Sequence, residues 1–306
     1  MKVMRIPRLR GAFSSDQEAV AGHWQELQLD GQQRQLLYHL FVPKRLARRP
    51  ALVIMLHGCR QSAPDFAQGT GMARLAKRHG CILAYPQQNL TANPMRCWNW
   101  FDPRNQGTEG EAGLIMQMAD HVAKSYQIAP ARVFVAGLSA GGAMAAILGR
   151  QFAQALGGIG VHSGVPTGAA ETITGALHAM ETGEAGARGP GPTRTIIFHG
   201  LADQTVVPAN GDRIAFADEP PKGRLVRSGN RVCRRFVIPG MPDHAGVEYW
   251  RVEGLGHAWS GGNPDGSYSD PLGPSASTEM MRFFLGYRRG IYPFVAVWLD
   301  LVRGLR

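Results

Sequence analysis

The sequence predicts an α/β fold: a mostly parallel central sheet with helices on both faces and an antiparallel hairpin at its N-terminal edge. Three observations carry that expectation. Short continuous apolar runs recur, as in strands buried on both faces. Segments of helical periodicity lie between them. The two kinds alternate from residue 51 to residue 288, the pattern of a parallel sheet built from crossover units. A chain of 306 residues, 44% of them hydrophobic, buries a large core without a disulfide scaffold or a metal staple. Wholesale disorder is excluded by that apolar content.

The elements follow in order. Residues 24–43 alternate loosely, through Leu27 and Leu29 and then Leu36, Tyr38, Leu40 and Val42, about Asp30-Gly31. This reads as a hairpin. Residues 51–56 form a short apolar run and so a buried strand. Phe66, Met72 and Leu75 place a helix over 65–78. Residues 81–85 are a second buried strand, closed by Pro86. Leu114, Ile115, Met118 and Val122 predict a helix over 111–126. Residues 132–136 read as a strand and 140–156 as a helix of small residues. Strands at 159–162, 195–199 and 247–252 and a helix at 275–287 complete the pattern. The stretch 165–192, rich in Gly, Ala, Thr and Pro, reads as a long loop or small cap within the domain. Residues 222–242 read as a polar, glycine-rich insertion.

The expected organisation is therefore a basic N-terminal tail (1–23), a catalytic domain (24–289) and an amphipathic C-terminal tail (290–306). In the last, Ile291, Val295, Trp298, Val302 and Leu305 recur at helical spacing. A helix docked on the body is the expectation there, ahead of a dimer or membrane-surface contact. No run reaches the ~18 apolar residues of a membrane helix. The N-terminal residues lack the apolar stretch of a signal peptide, so a cytoplasmic location is the expectation from the sequence.

The formal charge of +10 arises from 33 basic against 23 acidic residues. It invites a nucleic-acid reading. The surplus lies in segments 1–10, 44–49, 222–235 and 282–306, away from the residues that carry chemistry, so no nucleic-acid partner is expected. Cys59, Cys81, Cys97 and Cys233 form no C-x-x-C pair, which argues against a zinc or thioredoxin-type site. Their pairing is open at this level, and neither a metal nor a cofactor is expected.

The strongest local signal is Gly137-Leu138-Ser139-Ala140-Gly141, a G-x-S-x-G turn between an apolar strand and a helix of small residues. A serine on such a turn is strained and held above the sheet edge, with the helix N-terminus beside it. A hydroxyl nucleophile needs a base, and the base needs an orienting carboxylate. Asp203 follows the strand 195–199 on a short loop, whereas Asp212, Asp218 and Asp243 lack such a strand and read as solvated loop acids. His257 follows the strand 247–252 in a glycine-rich loop. His244 reads as a surface residue, and His162 and His199 as packed ones. The developing oxyanion needs two preorganised donors, assigned to the backbone N–H groups of Ala140 and of Cys59, the latter on the loop closing the strand 51–56. Trp98, Trp100 and Phe101, crowded into one loop, and Trp259 are candidates for the wall of a substrate pocket, with core packing as the ordinary alternative.

Taken together, these motifs resemble a known family. Leu56-His57-Gly58-Cys59-Arg60-Gln61-Ser62, Phe66-Ala67-Gln68-Gly69-Thr70-Gly71-Met72, Tyr85-Pro86-Gln87-Gln88, Cys97-Trp98-Asn99-Trp100-Phe101, the serine turn, Phe198-His199-Gly200-Leu201-Ala202-Asp203 and Gly256-His257-Ala258-Trp259-Ser260-Gly261-Gly262 are similar, in that order, to the esterase/poly(3-hydroxybutyrate) depolymerase family of α/β-hydrolases. The resemblance runs from about residue 30 to about residue 286. It implies an α/β-hydrolase fold and a serine carboxylesterase without a cofactor, acting on short hydroxyalkanoate polyesters or on related feruloyl and acetyl-xylan esters. It carries the nucleophile to Ser139, the acid to Asp203 and the base to His257. It also implies that Cys59 and Cys97 lie close together near the site, within reach of a bridge. The rivals are an acyltransferase or peptidase on the same triad and, from another class, a non-catalytic protein binding polymer granules or surfaces.

Overall fold

The computed structural model describes residues 2–5, 20, 22–31, 34–241 and 245–286. The predicted tail 290–306, with Asp243 and His244, lies outside the described residues. In chain order the elements are β1 (Lys2–Arg5), β2 (Gly22–Asp30), β3 (Gln35–Pro43), β4 (Leu52–Leu56), α1 (Ala63–Thr70), α2 (Met72–His79), β5 (Ile82–Gln87), α3 (Glu111–Ser125), β6 (Val133–Leu138), α4 (Ala140–Gln151) and β7 (Gly158–His162). They continue with α5 (Ile173–Thr182), β8 (Thr195–Gly200), α6 (Ala209–Ala215), β9 (Arg224–Ser228), β10 (Arg231–Ile238), β11 (Val247–Val252), the short strands β12 (Trp259–Ser260) and β13 (Ser269–Asp270), and α7 (Ala276–Phe284).

The main sheet runs β1-β2-β3-β5-β4-β6-β7-β8-β11-β10-β9. Its centre, from β5 to β11, is parallel. Both flanks are antiparallel. The apolar runs read from the sequence are the central strands, and their continuity has a direct cause. Alternate residues of β4 serve two cores: Leu52, Ile54 and Leu56 pack with α3 and α4, and Val53 and Met55 pack with α1, α2 and α7. With helices on both faces, neither side of the strand is free to be polar.

Several expectations need correction. The predicted helix over 65–78 is two helices. Gly71, at φ 59°, ends α1 in a left-handed cap whose N–H donates to the Ala67 carbonyl, and starts α2. The strand ending at Pro86 in the prediction runs through it to Gln87. The missing N–H is tolerated because β4 pairs β5 only as far as Ala84, so Pro86 has the single neighbour β3. Helix α4 stops at Gln151, short of residue 156, and gives way to a 3-10 turn at Ala153–Ala155. The cap region 165–192 contains α5. Within the stretch read as an N-terminal tail, Lys2–Arg5 form an edge strand with Val3 opposite Leu29.

The polar insertion 222–242 is the hairpin β9–β10, turning at Gly229 (φ 61°) and docked antiparallel on β11. No period-2 pattern marks it, because arginines stand on both faces of β10: Arg235 shares a face with buried Cys233, and Arg234 shares one with buried Phe236. The Arg235 guanidinium lies over the Trp250 ring, 5.6 Å from its centroid, and pairs with buried Glu248 at 2.9 Å. Asp212, read as a solvated acid, sits in α6, accepts from the Tyr249 hydroxyl (2.8 Å) and pairs with Arg251 (2.8 Å).

Candidate active site

The parallel strands end at one edge of the sheet, the edge at which open α/β sheets carry their functional loops. Gly58 follows β4, Ser139 follows β6, Asp203 follows β8 and His257 follows β11. At the join of β6 and α4, Ser139 adopts φ 57°, ψ −119°, a region L residues rarely occupy. The turn is built from close backbone contacts. A Cβ on Gly137 would lie 2.3 Å from the Gly141 backbone, and one on Gly141 would lie 2.1 Å from the Leu56 carbonyl. The Ser139 N–H donates to the His162 carbonyl at 2.9 Å, which ties the turn to the end of β7.

Asp203 is buried on the loop after β8. Its Oδ1 accepts the N–H groups of Thr205 (3.0 Å) and Val206 (2.9 Å). That leaves Oδ2 for the His257 Nδ1–H at 2.8 Å. Burial alone would raise the Asp203 carboxyl, but the bonds from His257 and the Val206 N–H outweigh it and hold the group below the usual aspartate range. With Nδ1–H committed to Asp203, the Nε2 lone pair of His257 is left to accept a proton. His199 stands 3.7 Å from the same carboxylate. Its Nε2–H donates to the Val206 carbonyl at 2.8 Å, and burial lowers its pKa, so it packs as a neutral ring.

The loop after β4 is fixed by one side-chain and two backbone acceptors. The Gly58 N–H donates to Gln61 Oε1 (2.9 Å), the Arg60 N–H to the Met95 carbonyl (2.7 Å) and the Gln61 N–H to the Gly58 carbonyl (3.4 Å). Among the described hydrogen bonds the Cys59 N–H makes none. The Ala140 N–H, at the first position of α4, has no acceptor within the helix. His57 clamps the loop from behind. Its Nδ1–H donates to the Gly58 carbonyl (2.8 Å), its Nε2 accepts the Gln88 N–H (3.1 Å), and burial lowers its pKa to about 4.

Cys59 is disulfide-bonded to Cys97, with their Cα atoms 4.2 Å apart. Cys81 and Cys233 are free and buried. The Cys97 loop is held by Glu111, whose carboxylate accepts from Gln88 Nε2 (2.7 Å), the Asn99 N–H (2.7 Å) and Asn99 Nδ2 (2.6 Å). Burial raises the Glu111 carboxyl in spite of these donors. Trp98 packs its ring 5.5 Å from His57 and lines a cavity of roughly 620 Å³ shared with Arg34, Gln87, Asn89 and Thr91.

The other aromatic candidates are packed to different degrees. Trp100 is buried in the core and meets the partly buried Phe101 edge-on. Trp259 is 1% exposed, stacks on His162 at 5.1 Å and donates to Ser277 Oγ at 3.0 Å. Its ring also meets Phe66 edge-on at 5.4 Å.

Sequence reasoning passed over Gln61 and Glu111 and read His162 as merely structural. Their partners lie far along the chain, Gln61 reaching the Ser267 carbonyl at 2.9 Å, so no local spacing marks them. Among the described residues no group of three or more His, Cys, Asp or Glu stands together to hold a metal ion. Among them, too, no helix is long and apolar enough to cross a membrane.

Residues 36–217, more than half of the chain, match the family described as Esterase PHB depolymerase. The chain is 34% identical over 185 residues to poly(3-hydroxyalkanoate) depolymerase C of Paucimonas lemoignei, covering 55% of this chain and 44% of that protein. It is 32% identical over 191 residues to feruloyl esterase B of Neurospora crassa, covering 56% of this chain and 64% of that one. It thus spans less than two thirds of the length of either relative. In fold it is similar to the acetyl xylan esterase from Aspergillus awamori, with a TM-score of 0.57 at 20% identity over 72% of this chain and 89% of that one. The S-formylglutathione hydrolase from Agrobacterium tumefaciens is similar in the same sense, with a TM-score of 0.54 at 12% identity over 87% of this chain and 96% of that one.

Proposed function

We propose, because this chain belongs to the Esterase PHB depolymerase family of α/β-hydrolases, that it is a serine carboxylesterase acting through Ser139, His257 and Asp203. The observation that carries this reading is the 2.8 Å bond from His257 Nδ1–H to Asp203 Oδ2, which leaves Nε2 as the base. Ser139 Oγ attacks the ester carbonyl while His257 Nε2 takes its proton. The N–H groups of Cys59 and Ala140 hold the oxyanion. The intermediate collapses, His257 returns the proton to the leaving alkoxide, and an acyl-enzyme remains. Water, deprotonated by His257, attacks that acyl carbon and frees the carboxylic acid and Ser139.

The substrate class we favour is the short-chain hydroxyalkanoate ester, of the poly(3-hydroxybutyrate) type, in keeping with the Paucimonas lemoignei relative. A second reading, an esterase for feruloyl esters or acetylated sugars, is favoured by the likeness to feruloyl esterase B of Neurospora crassa.

Ser139→Ala is expected to abolish hydrolysis of p-nitrophenyl butyrate and labelling by a fluorophosphonate while the circular dichroism spectrum is unchanged. Retained hydrolysis overturns the assignment. Failure of the wild-type chain to label favours a binding protein instead. Rates on esters of graded acyl length, polyhydroxybutyrate, acetylated xylan and methyl ferulate separate the two substrate classes.

A further inference from the structure

We propose that His162 is a positioning residue that locks the loop carrying the base to the turn carrying the nucleophile. The proposal rests on the Ser139/His257 reading above. One residue touches both parts. The His162 carbonyl accepts the Ser139 N–H at 2.9 Å. Its ring Nε2 accepts the Ser260 N–H at 3.0 Å, three residues beyond His257. The ring is wholly buried and sandwiched between Trp259, at 5.1 Å and 26°, and Phe198, at 5.8 Å and 15°. Its Nδ1–H donates to Ser163 Oγ at 3.2 Å.

An imidazole does here what neither a purely apolar nor a charged residue can. An apolar ring would fill the space between Trp259 and Phe198 but would strand the buried Ser260 N–H, at the cost of that group's desolvation. A protonated ring would offer Ser260 a donor where an acceptor is needed. Burial favours the neutral form, lowering the His162 pKa to about 3. The main chain of His162 sets the nucleophile's backbone and its side chain sets the height of the β12 strand that follows His257. A shift in one is therefore passed to the other. The bond from Asp203 fixes the direction of the His257 ring. The bond to Ser260 ties the segment that follows to the nucleophile's turn, beside the bonds from the Trp259 N–H to the Tyr268 carbonyl (2.7 Å) and from Ser260 Oγ to the Pro274 carbonyl (2.8 Å), which hold it to the loop beyond.

The test compares His162→Phe with His162→Gln, which keeps an acceptor near the place of Nε2. For a folded His162→Phe, kcat on p-nitrophenyl butyrate is expected to fall about 10²-fold, the scale of an ångström-sized misalignment, with KM little changed. Fluorophosphonate labelling of Ser139 should slow in parallel, and the acid limb of the kcat/KM pH profile should move. His162→Gln should recover most of the loss. A folded His162→Phe with wild-type kcat overturns the proposal. If His162→Phe does not fold, His162→Gln is compared with His162→Asn, whose acceptor lies nearer the place of Nδ1. A higher kcat for Gln supports the proposal, and equal or reversed values overturn it. If His162→Gln does not fold either, a need of the fold accounts for the residue and the proposal is overturned. Failure of the underlying reading looks different, because Ser139→Ala would then remain active.

Discussion

Ser139 holds a backbone conformation that costs an L residue about 1–3 kcal/mol. The surroundings impose it: the His162 carbonyl takes the Ser139 N–H, and the Ser139 carbonyl takes the Ala143 N–H at 2.9 Å. The glycines around it are fixed by contact distance. Gly141→Ala would drive a Cβ to 2.1 Å from the Leu56 carbonyl, where only backbone can give way, whereas a Cβ on Gly107 meets nothing within 4 Å. Gly141→Ala is therefore expected to lose about 3 kcal/mol or more, above the usual range of overpacking because β4 must move. Gly107→Ala should stay within about 0.5 kcal/mol of wild type. Urea denaturation of both variants reads the difference. Comparable midpoints would show that the turn accommodates a methyl group.

Helix α7 illustrates how an element is held on the sheet. Phe284 stacks on Phe134 of β6 at 4.9 Å and 12°, and Met280 meets β7 where Gly160 leaves room. Phe284→Ala is expected to cost about 3–5 kcal/mol, measured by urea denaturation, because the helix cannot close on the space left. Next to it, Glu248 joins β11, β10 and α7 through Arg235, Arg282 and the Trp250 Nε1–H. Burial alone would raise its carboxyl, but the two guanidiniums outweigh burial and hold it below the usual glutamate range. The central strands were legible in the sequence because burial on both faces leaves an uninterrupted apolar run. The hairpin β9–β10 was not, because arginines stand on both faces of β10, Arg235 beside buried Cys233 and Arg234 beside buried Phe236, and break the alternation. The pair Asp203 and His257 could be picked out by each following a strand. Gln61, Glu111 and the ring of His162 had no such mark, since what they hold comes from elements distant in sequence.

At the scale of the whole molecule, two of the basic residues behind the formal charge of +10 are paired along the hairpin edge, Arg231 with Asp270 and Arg235 with Glu248. Buried histidines make the fold sensitive to acid. Burial lowers His57 to about 4 and His162 to about 3 from an unperturbed 6.5. Between those values and 6.5 the unfolded chain binds protons that the folded chain refuses. The stability these neutral rings contribute is thus complete above pH 6.5 and declines as pH falls through that window. Each contributes a slope of up to about 1.4 kcal/mol per pH unit. Urea midpoints should drop between pH 7 and pH 5, above the range in which ordinary carboxylates titrate, and a constant midpoint would contradict the assignment of neutral rings. The Cys59–Cys97 bridge acts on a different state. It closes a loop of 38 residues, which in the chain-entropy account removes about 4 kcal/mol of conformational freedom from the unfolded ensemble. The residue that sets this restraint also presents the uncommitted N–H of the loop after β4. One covalent bond therefore limits how far the denatured chain can expand and fixes where the native chain aims a backbone dipole.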